Sequence, residues 1–439
     1  MITGPRSGQY LTHRVVPENA GRGGDQADIT FSVLEEYNSI DSLCALVMDN
    51  TSVNTGHIGG LCVCLEKKLG RKLHLIGCML HINELPLRNL IKELDGPTIS
   101  GNKLGGPIGK LLDGDELYRS DPVNFEPVEC GFERPEPADI EDLSDDQRIL
   151  LEYMFGVSSG SVDDKFVMRK PGPLCHSRWL TTAIRILILY TRTVDPSETL
   201  KLLVLYIVRV YAPAWFVIKM TNKFICGPDV YFDIIQAVKK VEEISQTFLT
   251  PRDEGELTLK ERVFKVLGRN AFCCLPENFL ASLLYSHKQS HRQIAVDKIM
   301  EIRAGPKLKL VTVKVPPLNF EASEWGTLID LSTMPCHEPP CVTHLSNEEL
   351  EAMRTVRGLP PDFPLHSQSV ERAVKLTSEA QRDLTSGNVG TSTLWPPTSP
   401  GHKGLSSVLS LIISEFFLFI SLFLPIPYSG SGIRIRTTF

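Results

Sequence analysis

One six-residue run sets the terms for what this chain can fold into. Leu43–Met48 (LCALVM) is continuously apolar and stops abruptly at Asp49-Asn50-Thr51. A run this short, closed by polar residues, suits a strand buried on both faces of a sheet. Its flanks agree. Asp28–Tyr37 carries apolar residues near a 3.6 period and reads as a helix. Gly59–Leu69 reads as a second helix, Leu73–Cys78 as the next strand, and His81 to Leu94 as a third helix. Gln9–Pro17 alternates and is rich in β-formers, so a strand is expected there too. Strands alternating with helices predict an α/β sheet.

The pattern then changes. Asp113–Asp146 holds many acids, several prolines and few large apolar residues, and reads as an exposed linker. Ser144 with Gln147 three residues on forms a capping box that starts a helix. Helical spacing follows to about Arg303, in Thr181–Tyr190, Thr199–Tyr211, Val230–Phe248, Glu277–Ser286 and Gln293–Ile302. Pro196, Pro213, Pro228 and Pro276 punctuate these segments. Lys307–Val315 alternates strictly and reads as a strand. Ser346–Arg357, with a second capping box at Ser346 and Glu349, and Ser367–Ala380 read as helices.

Composition narrows the class. The chain is 42% hydrophobic and 22% charged, which supports a packed core and excludes a disordered chain. Its net charge of −6 lacks the basic excess of a free-standing DNA binder, so any DNA contact has to come from local clusters. Eleven scattered cysteines, after an N-terminal stretch with no apolar leader, point to reduced thiols in the nucleus or cytoplasm.

Asp49 follows a buried-type strand directly, and ligands of α/β sheets gather at strand carboxyl ends. A carboxylate there can hold a hard cation through oxygen; equally, a strand-end Asp can simply cap its own turn. Three further features come in order. Cys78-x-x-His81 follows the second strand, with Asn83-Glu84-Leu85 behind it. Arg178-Trp179 leads into a helix. Pro364-Leu365-His366-Ser367-Gln368-Ser369-Val370-Glu371-Arg372 stands near the end. This ordered set resembles the hAT superfamily of transposases and proteins derived from it. The resemblance spans roughly residues 10–380 and rests on the set, since each motif alone is common.

The resemblance implies a ribonuclease-H-like mixed sheet of α/β class, interrupted by a large all-helical insertion domain. The expected division is 1–112 for the N-terminal part of the core, 113–142 for the acidic linker, 143–305 for the helical insertion and 306–386 for the return to the core. Residues 387–439 form a low-complexity linker and hydrophobic tail. It also implies a site in which Asp49 and Glu371, 322 residues apart, share Mg²⁺ or Mn²⁺ for DNA strand transfer. Cys78, His81, Arg178, Trp179 and Arg372 would brace it. The first acid of such a trio belongs on a strand ahead of Gln9, and Met1–Gly8 contains none. The expectation is a chain truncated at its N-terminus and inactive in strand transfer, with DNA or self-association as partners. The alternative is a non-enzymatic interaction scaffold.

Other signals have plainer readings. Cys62-x-Cys64 puts two thiols on different helix faces and suits buried apolar cysteines better than zinc. Cys336-His337 and Cys341-x-x-His344 have tolerable zinc spacing but are separated by Glu-Pro-Pro, so an extended loop is expected. Gly101–Gly109 lacks the Lys-Ser/Thr ending of a phosphate loop and reads as a turn. Val408–Ile426 is long enough to span a bilayer, against a cost of roughly 2.5–3.5 kcal/mol for Glu415 at its centre. Two readings stay open for it: a tail anchor over residues 405–427 that puts the protein in a membrane, or an unrelated sequence appended after Gln381.

Overall fold

The computed structural model describes residues 14, 21–100, 103–112, 114–141, 143–172, 178–245, 258–306, 331–332, 335–368 and 421–423. Helix α1 (Gly23–Glu36) leads into β1 (Ala45–Met48), the short helix α2 (Ser52–Thr55), α3 (Leu61–Leu69), β2 (His74–Gly77) and α4 (Met79–Asp95). Both strands are buried at every position, as an unbroken apolar run requires. They pair in parallel, with Ala45 opposite His74 and Met48 opposite Gly77. The connection through α3 buries Leu61, Cys62 and Leu65 against one face, together with Leu46 and Met48.

A small hairpin, β3 (Thr98–Ser100) with β4 (Lys103–Leu104), follows, then α5 (Pro107–Leu111). The acid-rich stretch beyond is mostly extended and exposed. It is nonetheless anchored, because Leu117, Tyr118 and Phe125 are buried and Val123 N–H donates to the Thr191 carbonyl at 2.8 Å. A short helix α6 (Pro137–Glu141) ends it.

Next come α7 (Asp145–Ser159), α8 (Asp164–Val167), α9 (Arg178–Thr191), α10 (Glu198–Tyr206), α11 (Ala212–Thr221), α12 (Gly227–Ser245), α13 (Leu259–Asn270), α14 (Pro276–Leu284) and α15 (Gln289–Ala304). Ser144 and Gln147 form the expected capping box on α7. Helix α16 (Asn347–Ala352) opens with the Ser346–Glu349 box. A last strand, β5 (Ser421–Phe423), lies antiparallel against β1.

The fold class expected from the sequence is corrected. A ribonuclease-H-like mixed sheet is not what the described residues show: they are mostly helical, with two four-residue parallel strands, a three-residue antiparallel neighbour and the separate β3–β4 hairpin. The physical reason lies in the distribution of apolar surface. Most buried side chains come from α4 and α7–α15, packed helix on helix, and one continuous core runs from Ala45, Val47 and Ile76 through these helices to Leu365. The sheet is therefore a minor component laid on a helical body. The strands expected at Gln9–Pro17, apart from Arg14, and at Lys307–Val315 fall outside the described residues.

Two local expectations also change. Pro213 does not end a helix: α10 continues through a wide π turn at Ile207–Tyr211 into α11. Proline brings no N–H, and the wide turn shifts bonding to i−5 just before it, with Ala212 N–H on the Ile207 carbonyl. The combined stretch Glu198–Thr221 is long and apolar enough to cross a membrane, but it is largely buried within the helical body. Helix α13 has no counterpart in the sequence reading. Its apolar positions Leu259, Val263, Phe264 and Leu267 lie among charged residues, and a Thr258–Glu261 capping box starts it.

Candidate functional site

Parallel pairing brings the ends of β1 and β2 to one edge. Cys78 N–H donates to the Met48 carbonyl at 2.7 Å, so Asp49 and the start of α4 are neighbours. The turn after β1 is built around the Asp49 carboxylate. Its Oδ1 accepts from Thr51 N at 3.1 Å, Thr51 Oγ1 at 2.7 Å and Asn54 Nδ2 at 2.6 Å. Asp, Thr and Asn are the residue types that close such turns, because a short polar side chain can reach the backbone two residues on. Oδ1, with three donors, is committed to the turn, which leaves only Oδ2 to meet a cation.

Asn50 lies beneath this turn, buried, with neither side-chain atom hydrogen-bonded. A Cβ at Gly77 would stand 2.5 Å from Asn50 Oδ1, so only glycine fits opposite. Asn54 Oδ1 is likewise buried without a partner. Buried amides left unpaired are uncommon and costly.

The chain returns to this edge after nearly three hundred residues. Phe224 N–H donates to the Phe363 carbonyl at 3.0 Å, Leu365 N–H to Asn222 Oδ1 at 3.1 Å, and Met79 N–H to the Leu365 carbonyl at 3.0 Å. The last bond fixes Leu365 on the first turn of α4. His366 and Ser367 beside it are buried. His366 Nδ1 accepts from Gln368 N at 3.2 Å, while Nε2 has no partner. Burial, aided by the Lys219 charge, pushes its pKa down to about 3, so the ring is neutral. Glu371 and Arg372 lie outside the described residues; the chain ahead of them, through Leu365, reaches the first turn of α4 at the edge where Asp49 stands.

Cys78 is the buried N-cap residue of α4, and His81 sits half-buried in its first turn. Arg178 begins α9, and Trp179 after it packs half-buried on the helical core. Among the described residues, no group of three His, Cys, Asp or Glu is placed to hold a metal ion. Cys62 is buried against Met48, with 2.9 Å between sulfurs, and Cys64 is only half-buried on the same helix. Cys336 and Cys341 are buried thiols, the latter pushed up to about 12 chiefly by burial.

The glycine-rich stretch folds around an internal anion. Asp95 at the end of α4 is buried, and its two carboxylate oxygens accept from Ile108 N and Gly109 N, each at 2.7 Å. A Cβ at Gly106 would fall 1.4 Å from the Asp95 carbonyl oxygen. The loop thus cradles its own aspartate. The sequence signal for it was the repeated Gly-Pro that closes α4 and opens α5, at Gly96-Pro97 and Gly106-Pro107.

No family model, curated protein or solved structure matches the chain.

Proposed function

We propose that this chain is a transposase-derived protein that neither cuts nor joins DNA, and that its helical body serves as an interaction scaffold. The observation that carries the reading is the state of Asp49. The carboxylate in the position expected to bind a cation spends Oδ1 on three hydrogen bonds that close its own turn, which fixes its orientation and leaves one oxygen for a cation where a catalytic pair of ions asks for more. The ordered motifs at Asp49, Cys78/His81, Arg178/Trp179 and Glu371/Arg372 support descent from such an enzyme, and the return of Leu365 to the start of α4 is consistent with it.

The test pairs two substitutions. Asp49→Asn keeps an oxygen acceptor for Thr51, whereas Asp49→Ala removes it and costs about 1–2 kcal/mol of stability. Purified protein is incubated with short DNA duplexes and Mg²⁺ or Mn²⁺. The expected result is no metal-dependent cleavage in wild type or Asp49→Asn, with a lower urea midpoint for Asp49→Ala. Cleavage by wild type that Asp49→Asn abolishes overturns the proposal.

A further inference from the structure

Between α16 and the segment that meets α4, the chain runs through Arg357-Gly358-Leu359-Pro360-Pro361-Asp362-Phe363-Pro364. Covalent chemistry sets its path. Proline fixes φ at about −65°, and the residue before a proline is driven out of the helical region. Leu359, Pro360 and Phe363 each precede a proline, so Leu359–Pro361 in particular is held to a polyproline II course. Residues 357–364 accordingly adopt no helix, strand or turn. Burial repeats every third residue, as that three-residue helix demands. Leu359 and Asp362 are exposed, Pro361 and Pro364 are half-buried, and half-buried Pro360 comes three before buried Phe363.

Both ends of the run are tied down. Arg357 Nε donates to the Tyr285 carbonyl at 2.9 Å, and a Cβ at Gly358 would stand 2.8 Å from Met353 Cε. At the far end the Phe363 carbonyl accepts from Phe224 N–H, and the two rings pack 5.2 Å apart. The bridge between these anchors carries Leu359, 85% exposed, more than any other large apolar side chain among the described residues. A lone exposed leucine is ordinary. One standing beside two proline rings on a turn already fixed in shape is different, because a segment ordered beforehand loses little freedom when a partner closes on it.

We propose that Leu359-Pro360-Pro361 is a docking ridge for a folded partner with a groove of paired aromatic rings, of the WW type. Such grooves take polyproline segments because the helix is preformed and makes no internal hydrogen bonds. Length decides among them. The free ridge is one turn, roughly 9 Å at about 3.1 Å per residue. A groove that reads Pro-x-x-Pro, as SH3 modules do, would need Pro361 and Pro364 with everything between. Phe363, within that span, is turned into the core and is 8% exposed. The ridge takes its purpose from the scaffold reading. Its test uses neither DNA nor metal, so its failure is distinct from a finding that Asp49 is catalytic.

The experiment titrates the full chain into an isotopically labelled WW module that accepts Leu-Pro-Pro ligands, and follows the module's amide resonances. An SH3 module is titrated in parallel. Saturable shifts are expected around the aromatic groove of the WW module and none in the SH3 module. Leu359→Glu and Pro360→Ala are each expected to weaken binding by at least about fivefold. Val194→Glu alters an apolar residue 83% exposed in the loop before α10, and is expected to leave binding unchanged. Both glutamate substitutions fall on open surface and keep the fold, which circular dichroism checks. No saturable shift in the WW module, affinity retained in Leu359→Glu, equal loss in Val194→Glu, or tighter binding by the SH3 module overturns the proposal.

Discussion

His74 opens β2 with both ring nitrogens buried and unpartnered, edge-on to Phe224 at 4.8 Å and tilted against Phe363 at 5.9 Å. Burial pushes its pKa down to about 3, the same value reached by His366 at the other end of the strand pair. In the unfolded chain both titrate near 6.5. The folded state therefore binds fewer protons than the unfolded state between these values. Stability is fully present above pH 6.5 and falls as pH drops toward 3. Each histidine is expected to cost about 2 kcal/mol between pH 7 and pH 5. Urea unfolding at pH 7, 6 and 5 measures the slope, and His74→Leu is expected to remove roughly half of it. A slope unchanged in that variant shows that His74 is hydrated or paired.

His74 did not stand out in the sequence, and His366 appeared only as part of the run ahead of Glu371. His74 belongs to a segment recognised as a strand, but nothing in an alternating or apolar pattern says that a polar residue at its first position is enclosed by aromatic rings from residues 224 and 363. Asp49 was legible, because a polar residue directly after a buried run marks a strand end. Which of its two roles it plays was not legible, since that depends on whether Thr51 and Asn54 turn back onto it.

At the scale of elements, one buried amide ties α4 to the long α10–α11 stretch within their shared apolar core. Asn83 is 1% exposed, and its Nδ2 donates to the Tyr211 carbonyl at 2.9 Å, at the end of the π turn. The turn widens the helix ahead of Pro213, and Asn83 pins α4 against it. Asn83→Leu removes the donor while filling the space, and is expected to cost about 1–2 kcal/mol. Hydrogen exchange should then quicken at residues 207–211 more than in α7 or α14. Equal protection throughout places the stability of the turn in its apolar packing alone. Helix starts with Ser or Thr caps, at Ser144 and Ser346, were readable because capping is local chemistry. The run through Pro213 was not, because continuing past a proline depends on a widened turn and a neighbouring helix.

For the molecule as a whole, periodicity located most elements and misjudged their proportion. Leu43–Met48 and Leu73–Cys78 are strands as read, but how much of a protein is sheet depends on how many strands pair, and pairing is non-local. The same non-locality decides the C-terminal segment. Its residues Ser421–Phe423 lie antiparallel on β1, opposite Val47, Leu46 and Ala45. That pairing covers an edge which would otherwise present bare N–H and C=O groups beside apolar side chains. A chain ending at residue 404 is expected to lose amide protection at Ala45 and Val47, whose N–H groups face β5, by at least about tenfold while Leu46, facing β2, stays protected, and to associate through the uncovered edge. Exchange by mass spectrometry and light scattering read both effects. Unchanged protection at Ala45 and Val47, with carbonate-resistant membrane pelleting that needs residues 405–439, would instead assign the apolar tail to a bilayer and leave β1 as a natural edge.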